Sequence, residues 1–139
     1  MTNLLDGVLL INDIEISIND SLTDVLAKTI KIPKVIRNIN NYQHLFINDI
    51  LLFEKEGNIK MIFSSNGILE FISFGISKGC EVKDREELLL FLKKHNIILT
   101  NKNGLYEKQF RWGILGVEND IHNPGHFSLC ISKWLINRN

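Results

Sequence analysis

The pair Asn66-Gly67, set between the apolar-rich runs Ile59 to Phe63 and Ile68 to Phe74, constrains the fold of this chain more than any other feature. A type I′ turn needs positive φ at both central residues, and Asn-Gly supplies this readily, so the pair predicts a tight antiparallel hairpin. With a two-residue loop, Ser65 stands opposite Ile68, and Ile59, Met61, Phe63, Ile68, Ile72 and Phe74 share a face that is expected to be core. The other face carries Lys60, Ile62, Ser64, Leu69, Phe71 and Ser73, half polar and so expected to be partly covered. The same register sets Glu70 across from Phe63 on the apolar face. A buried carboxylate there is costly unless it reaches water at the sheet rim, meets a Lys or Arg, or serves the function.

The rest of the chain fits the same reading. Val8 to Ile11 and Ile14 to Ile18 alternate around Asn12-Asp13 and predict a short hairpin. The quartet Ile11-Asn12-Asp13-Ile14 recurs as Ile47-Asn48-Asp49-Ile50, where Asn-Asp between apolar runs is turn or bulge chemistry. The abundance of Ile and Asn as such carries no functional information. Ser21 and Asp24 predict a capped helix with Leu22, Val25, Leu26 and Thr29 inward, closed by Pro33. Residues 33 to 43 read as an irregular connection, and Glu56-Gly57-Asn58 as a turn after a strand around Ile50 to Phe53. Asp84 and Glu87 predict the start of a second helix, with Leu88, Phe91, Leu92 and His95 on one face. Strands are expected at Ile97 to Thr100, near Phe110 to Glu118 and near Phe127 to Leu135. The expected architecture is a single α+β domain over residues 1–139, a mainly antiparallel meander with two short helices packed on one face.

Composition excludes several function classes. At 139 residues, 45% hydrophobic and 23% charged, the chain has enough apolar material for its own core. Sixteen Lys and Arg balance sixteen Asp and Glu, so no overall field recruits nucleic acid or an anionic membrane. Cys80 and Cys130 lie far from a metal-knuckle spacing and too few for a disulfide framework. The opening MTNLLDGVLL lacks the basic start of a signal peptide, and no run approaches the ~18 apolar residues of a membrane span. A cytoplasmic location is expected.

No motif on the chain demands catalysis. His122 and His126 stand four apart, but Pro124-Gly125 between them breaks the helix that would give this spacing a zinc-binding meaning. Glu118, Asp120, His122 and His126 on a loop define the alternative reading, a small metal-dependent or hydrolytic enzyme. Neither Ser64-Ser65 nor Cys80 sits in a nucleophile motif, and Cys130 among apolar neighbours reads as a small sheet residue. Trp112 and Trp134 each follow a cation, an arrangement that suits core packing and protein interfaces alike. The candidate contact residues are therefore Trp112, Glu118, Asp120, His122, His126 and Trp134, with no catalytic, cofactor or metal residue assigned.

The N-terminal hairpin, the capped helix with Leu22-Thr23-Asp24-Val25-Leu26, the Pro-containing connector and the Tyr42 to Phe74 meander resemble, in layout, small bacterial polymorphic-toxin immunity proteins, including those of contact-dependent growth inhibition. The resemblance implies a cytoplasmic, non-enzymatic α+β protein without cofactor that binds one cognate toxin domain and blocks it. Many such proteins are strongly acidic, and this chain is formally neutral. Secretion chaperones, also small and α+β, resemble it less because this chain opens with strands. Because His122 and His126 lack a helix and a full ligand set, elemental analysis of the purified protein is expected to find less than one zinc, iron or manganese per chain. Near-unit occupancy abolished by replacing both histidines would promote the enzyme reading.

Overall fold

Among the described residues, every non-glycine position at positive φ is an Asn or an Asp: Asn12, Asp13, Asn40, Asn41, Asp49, Asn96 and Asn103. Their short polar side chains make the left-handed region cheaper than it is for other residues. The structure, a computed structural model, describes residues 4–52, 55–76, 81–119 and 127–133. After a 3-10 turn at Leu4–Asp6 come β1 (Val8–Ile11), β2 (Ile14–Ser17), α1 (Leu22–Lys28), β3 (Val35–Ile39), β4 (Tyr42–Leu52), β5 (Lys55–Phe63) and β6 (Leu69–Ile76). Then follow α2 (Glu81–Lys94), β7 (Thr100–Lys102), β8 (Leu105–Gln109), β9 (Gly113–Asn119) and β10 (Phe127–Lys133). The left-handed residues close three of the hairpins, at Asn12-Asp13, Asn40-Asn41 and Asn103-Gly104, each with positive φ at both central positions. Five Asn among the described residues thus serve left-handed positions, a meaning that composition alone does not reveal.

β1 and β2 form a separate hairpin, and the other strands make an eight-stranded antiparallel sheet in the order β3-β4-β5-β6-β10-β9-β8-β7. Two four-stranded runs, β3 to β6 and β7 to β10, meet at the central β6–β10 pair, with α2 between them in the chain. The domain is α+β with a mainly antiparallel sheet and two helices, as expected.

The Asn66-Gly67 hairpin forms with a different turn. Gly67 alone takes positive φ, Gly67 N–H donates to the Ser64 carbonyl at 2.9 Å, and Ser64 N–H donates to the Ile68 carbonyl at 2.8 Å. The loop therefore has three residues, with Ser64 opposite Ile68 in place of Ser65. A bulge then restores the expected register, since Phe63 pairs with Leu69 while Ile62 pairs with Phe71 and Met61 with Ile72. Leu69 takes the core position opposite Phe63, Ile68 is exposed, and Glu70 becomes the extra, half-buried residue. The expected Phe63–Glu70 pair does not exist, and the bulge removes the conflict it posed.

The repeated Asn-Asp also divides as its chemistry allows. Asn12-Asp13 closes the β1–β2 hairpin, whereas Asp49 bulges β4 between Ile47 and Ile50, its N–H bonded to Asn58 Oδ1 at 3.1 Å. The bulge shifts the phase of β4 by one residue, so Leu45, Ile47, Ile50 and Leu52 are all buried. The first hairpin's tip meets β4 just past this bulge: Leu51 N–H donates to Asn12 Oδ1 at 2.7 Å, and Asn12 N–H donates to the Leu51 carbonyl at 3.1 Å. The hairpin tip thereby caps the edge of β4 beyond the reach of β3, whose pairing stops at Phe46.

Both helices have identifiable ends. Ser21 Oγ accepts from Asp24 N–H and the Asp24 carboxylate accepts from Ser21 N–H, the reciprocal bonding expected from the sequence. These bonds, the backbone one first, hold the Asp24 carboxyl below its ordinary range. Leu22 N–H donates to the Gly67 carbonyl, tying α1 to the hairpin turn. Helix α2 begins at Glu81, upstream of the expected Asp84 start, so Asp84 lies within it. It ends in a Schellman motif: Asn96 N–H donates to Lys93, Ile97 N–H donates to Leu92, and Ile97 is buried. His95 lies past the last helical residue, exposed, with its ring 4.6 Å from Phe91.

Other boundaries differ for physical reasons. Residues 35–39, expected within an irregular connection, form β3 by pairing with Tyr42–Phe46; an edge strand exposed on both faces carries no burial-driven alternation that would mark it in the sequence. Gly57 lies inside β5 and is not a turn: a Cβ there would strike the Gly75 carbonyl oxygen and lie 2.6 Å from the Phe74 ring. At the C-terminal end of the sheet, β8 was not anticipated, and Phe110 to Gly113 is a tight turn, closed by Phe110 N–H on the Gly113 carbonyl at 2.7 Å. Only Thr100 of the expected 97–100 strand is extended into β7.

The buried core lies on one side of the sheet. Cross-strand pairing aligns Leu45, Met61, Ile72, Ile131 and Leu115 in one row and Ile47, Ile59, Phe74, Leu129 and Val117 in the next, all buried. Leu9, Ile11, Ile16 and Ile18 of the first hairpin, Val25 of α1 and Leu88 and Leu92 of α2 join the same cluster. Helix α2 is fixed over that face by Arg85, whose guanidinium lies 5.6 Å from the Tyr106 ring and 5.4 Å from the Phe127 ring, and by a Glu87–Lys55 ion pair at 3.0 Å. Chemical denaturation tests the Gly57 packing: Gly57→Ala is expected to lose about 1–3 kcal/mol through overpacking. Gly75→Ala, whose Cβ would meet only Ser128 Oγ at 3.6 Å, is expected to stay within about 1 kcal/mol of the parent.

Candidate partner-binding surface

Antiparallel pairing fixes what the opposite side of the sheet presents. One row runs Arg37, His44, Ile62, Phe71, Ser132 and Ile114, and the next runs Val35, Phe46, Lys60, Ser73, Cys130, Gly116 and Glu107. Ile39 and Tyr42 extend the surface at the β3–β4 turn, and Glu118 stands on its far half, opposite Ser128. Val35 is 52% exposed, Ile39 43% and Tyr42 42%, while His44, Phe46, Lys60, Ile62 and Phe71 are half-buried. Among the described elements, those joined to the buried cluster pack against the other face.

Charge is divided across this surface. Its β3–β5 half carries Arg37, His44 and Lys60, with Glu56 at the far end of β5, and its other half carries Glu118 and Glu107, the latter 3.9 Å from the Lys102 ammonium of β7. Burial, followed by the Lys60 charge, holds His44 below its ordinary value, so its imidazole is mainly neutral near pH 7. The rings of His44 and Phe46 stack at 6.3 Å along β4. Between the halves, Cys130 is 5% exposed, and burial and then the Glu118 charge push its thiol up to about 12. It is a packed, unreactive sheet residue, as its apolar neighbours suggested.

The residues singled out from sequence fare differently. Trp112 sits in the turn before β9, half-buried, with Nε1–H donating to the carbonyls of Leu4 at 3.0 Å and Leu5 at 3.2 Å. Its ring stacks on Phe110 at 5.2 Å and lies close to Gly7, so it ties the N-terminal turn to the sheet. Glu118 is exposed on β9. Asp120, His122, His126 and Trp134, like Cys80, lie outside the described residues. Of the six, the described residues thus include Trp112 and Glu118.

Sequence reasoning missed Arg37, Tyr42, His44 and Phe46. Two signals pointed to them. The second face of the hairpin was only half polar, and the stretch from Val25 to Asn48 holds no Asp or Glu but contains Lys28, Lys31, Lys34 and Arg37. Neutral total charge concealed that segregation. Among the described residues, no group of three His, Cys, Asp or Glu side chains could hold a metal, and no helix is long and apolar enough to cross a membrane.

NMR titration of the full chain is expected to place the His44 pKa below 6.5. Lys60→Gln is expected to raise it without restoring 6.5, because burial, the larger cause, remains. A depressed folded-state value means that the unfolded chain binds this proton more readily. His44's favourable contribution is therefore complete above about pH 6.5 and is lost as pH falls through the folded-state value. Comparison with protein-family models, with curated proteins and with solved structures gave no match to this chain.

Proposed function

We propose that this protein works by binding another protein, and that it is an immunity protein covering the active or substrate-binding surface of a cognate bacterial toxin domain. The observation that carries the reading is the sheet face bearing Arg37, Tyr42, His44, Phe46, Lys60, Ile62 and Phe71. Exposed Tyr42 and half-buried Phe46, Ile62 and Phe71, with an interspersed Arg, match the composition of interface centres. Eight strands spaced by ~4.8 Å span roughly 34 Å, room for the ~800 Å² that a standard interface buries on each partner. The layout resemblance to toxin immunity proteins gives the partner class, and the basic half of the face favours an acidic patch on that partner.

The test is co-expression with the protein encoded by the neighbouring gene, measuring complex formation and cell survival. Lys60→Glu and Phe46→Ala are expected to weaken binding at least tenfold, while Glu118→Lys probes the acidic half. Interface centres typically lose about 2 kcal/mol or more on truncation. Failure to bind that product, together with small-molecule turnover by the isolated protein, would overturn the function. Binding indifferent to changes at Phe46, Lys60 and Phe71 would overturn the surface.

A further inference from the structure

We propose that β3 is a docking edge, receiving an extended acidic segment of the partner as an added strand beside Val35–Ile39. The proposal rests on the protein-binding reading above and specifies the chemistry of one part of the contact. β3 ends the eight-stranded order, and all five of its residues are exposed. The two-residue Asn40-Asn41 loop makes Ile39 and Tyr42 a hydrogen-bonded pair. Alternation then directs the N–H and C=O of Val35, Arg37 and Ile39 toward β4 and those of Ile36 and Asn38 outward, where no described strand follows. Such an edge is a template for strand addition unless something blunts it. The other exposed β4 edge is capped by Asn12, whereas at β3 the apolar side chains of Val35, Ile36 and Ile39 stand open.

Charge decides the occupant. Lys34 and Arg37 flank the edge within the acid-free stretch from Val25 to Asn48. A second copy adding its own β3 would bring Lys34 and Arg37 of both chains onto one short ribbon with no carboxylate among them, and like charges across strands destabilise pairing. A partner strand with Asp or Glu beside Arg37 gains a cross-strand ion pair instead. Val35 and Ile39 lie on the same face as Arg37, two residues to either side, so the favoured segment is apolar-x-acidic-x-apolar. This pattern would join the added strand to the aromatic and basic surface already described.

The probe is the peptide acetyl-Thr-Val-Thr-Glu-Thr-Val-Thr-amide, with the central Glu replaced by Lys as its counterpart, titrated into the full-length protein by NMR with amide exchange. The Glu peptide is expected to slow exchange at the Ile36 and Asn38 amides at least tenfold at saturation and to bind at least fivefold tighter than the Lys peptide. Asn38→Pro removes one outward N–H at an edge position that tolerates proline and is expected to abolish this protection. Arg37→Glu retains the backbone and is expected to reverse the peptide preference. Binding indifferent to peptide charge, or absent, would overturn the proposal. So would protection of the same amides by self-association in sedimentation experiments, or stronger protection by a single-stranded oligothymidine. A neighbouring-gene product that binds Asn38→Pro normally but is lost on Lys60→Glu would overturn the docking edge while leaving the sheet-face reading intact.

Discussion

A slip of one residue in any of the strands that line the core would turn its apolar set toward solvent, because side chains alternate with a period of two. Register is consequently the constraint on which the core depends, and the chain pins it locally. Three hairpin turns are held by paired left-handed residues, another by Gly67, and two bulges reset the phase within β4 and at the start of β6. Without the Asp49 bulge, Ile47 and Ile50 would point to opposite faces. Without the bulge at Glu70, a carboxylate would stand in the core beside Phe63. Each correction is a backbone device that lets an imperfect alternation bury a complete apolar face.

The same devices join the separate pieces. Asn12 serves the tip of one hairpin and also supplies both hydrogen bonds that occupy Leu51 on the edge of β4. Trp112 does comparable work at the other end, its indole holding the Leu4–Asp6 turn against the sheet. The first hairpin and the two helices contribute apolar residues to one common cluster, so their burial favours one side of the sheet.

That asymmetry gives the other side its character. Its half-buried aromatics and cations are separated from the acids of β8 and β9 by the small residues Ser73, Cys130 and Gly116. Binding through such a face, as proposed, needs no cleft and no activated nucleophile; it needs a rigid array, and the antiparallel ladder supplies one. His44 illustrates the coupling, since strand pairing that brings it near Lys60 also lowers its affinity for a proton.

The sequence by itself determined the class of the fold, the first hairpin, the Ser21–Asp24 cap and the register of Met61 with Ile72, because each depends on neighbours within a few residues or on strict alternation. It also marked Cys130 as a packed thiol. It did not determine β3 or β8, short strands with no fully buried residue to imprint a pattern, or the role of Gly57, which exists only because Phe74 and Gly75 approach from the adjacent strand. Trp112 read equally as core or interface until the fold brought Leu4 within hydrogen-bonding distance of its indole. The aromatic and basic surface was legible only as a half-polar hairpin face. Tertiary structure assembled the rest, because Arg37, His44, Ile62 and Phe71 become neighbours through cross-strand pairing, and which side of the sheet the helices cover is decided by contacts distant in the chain.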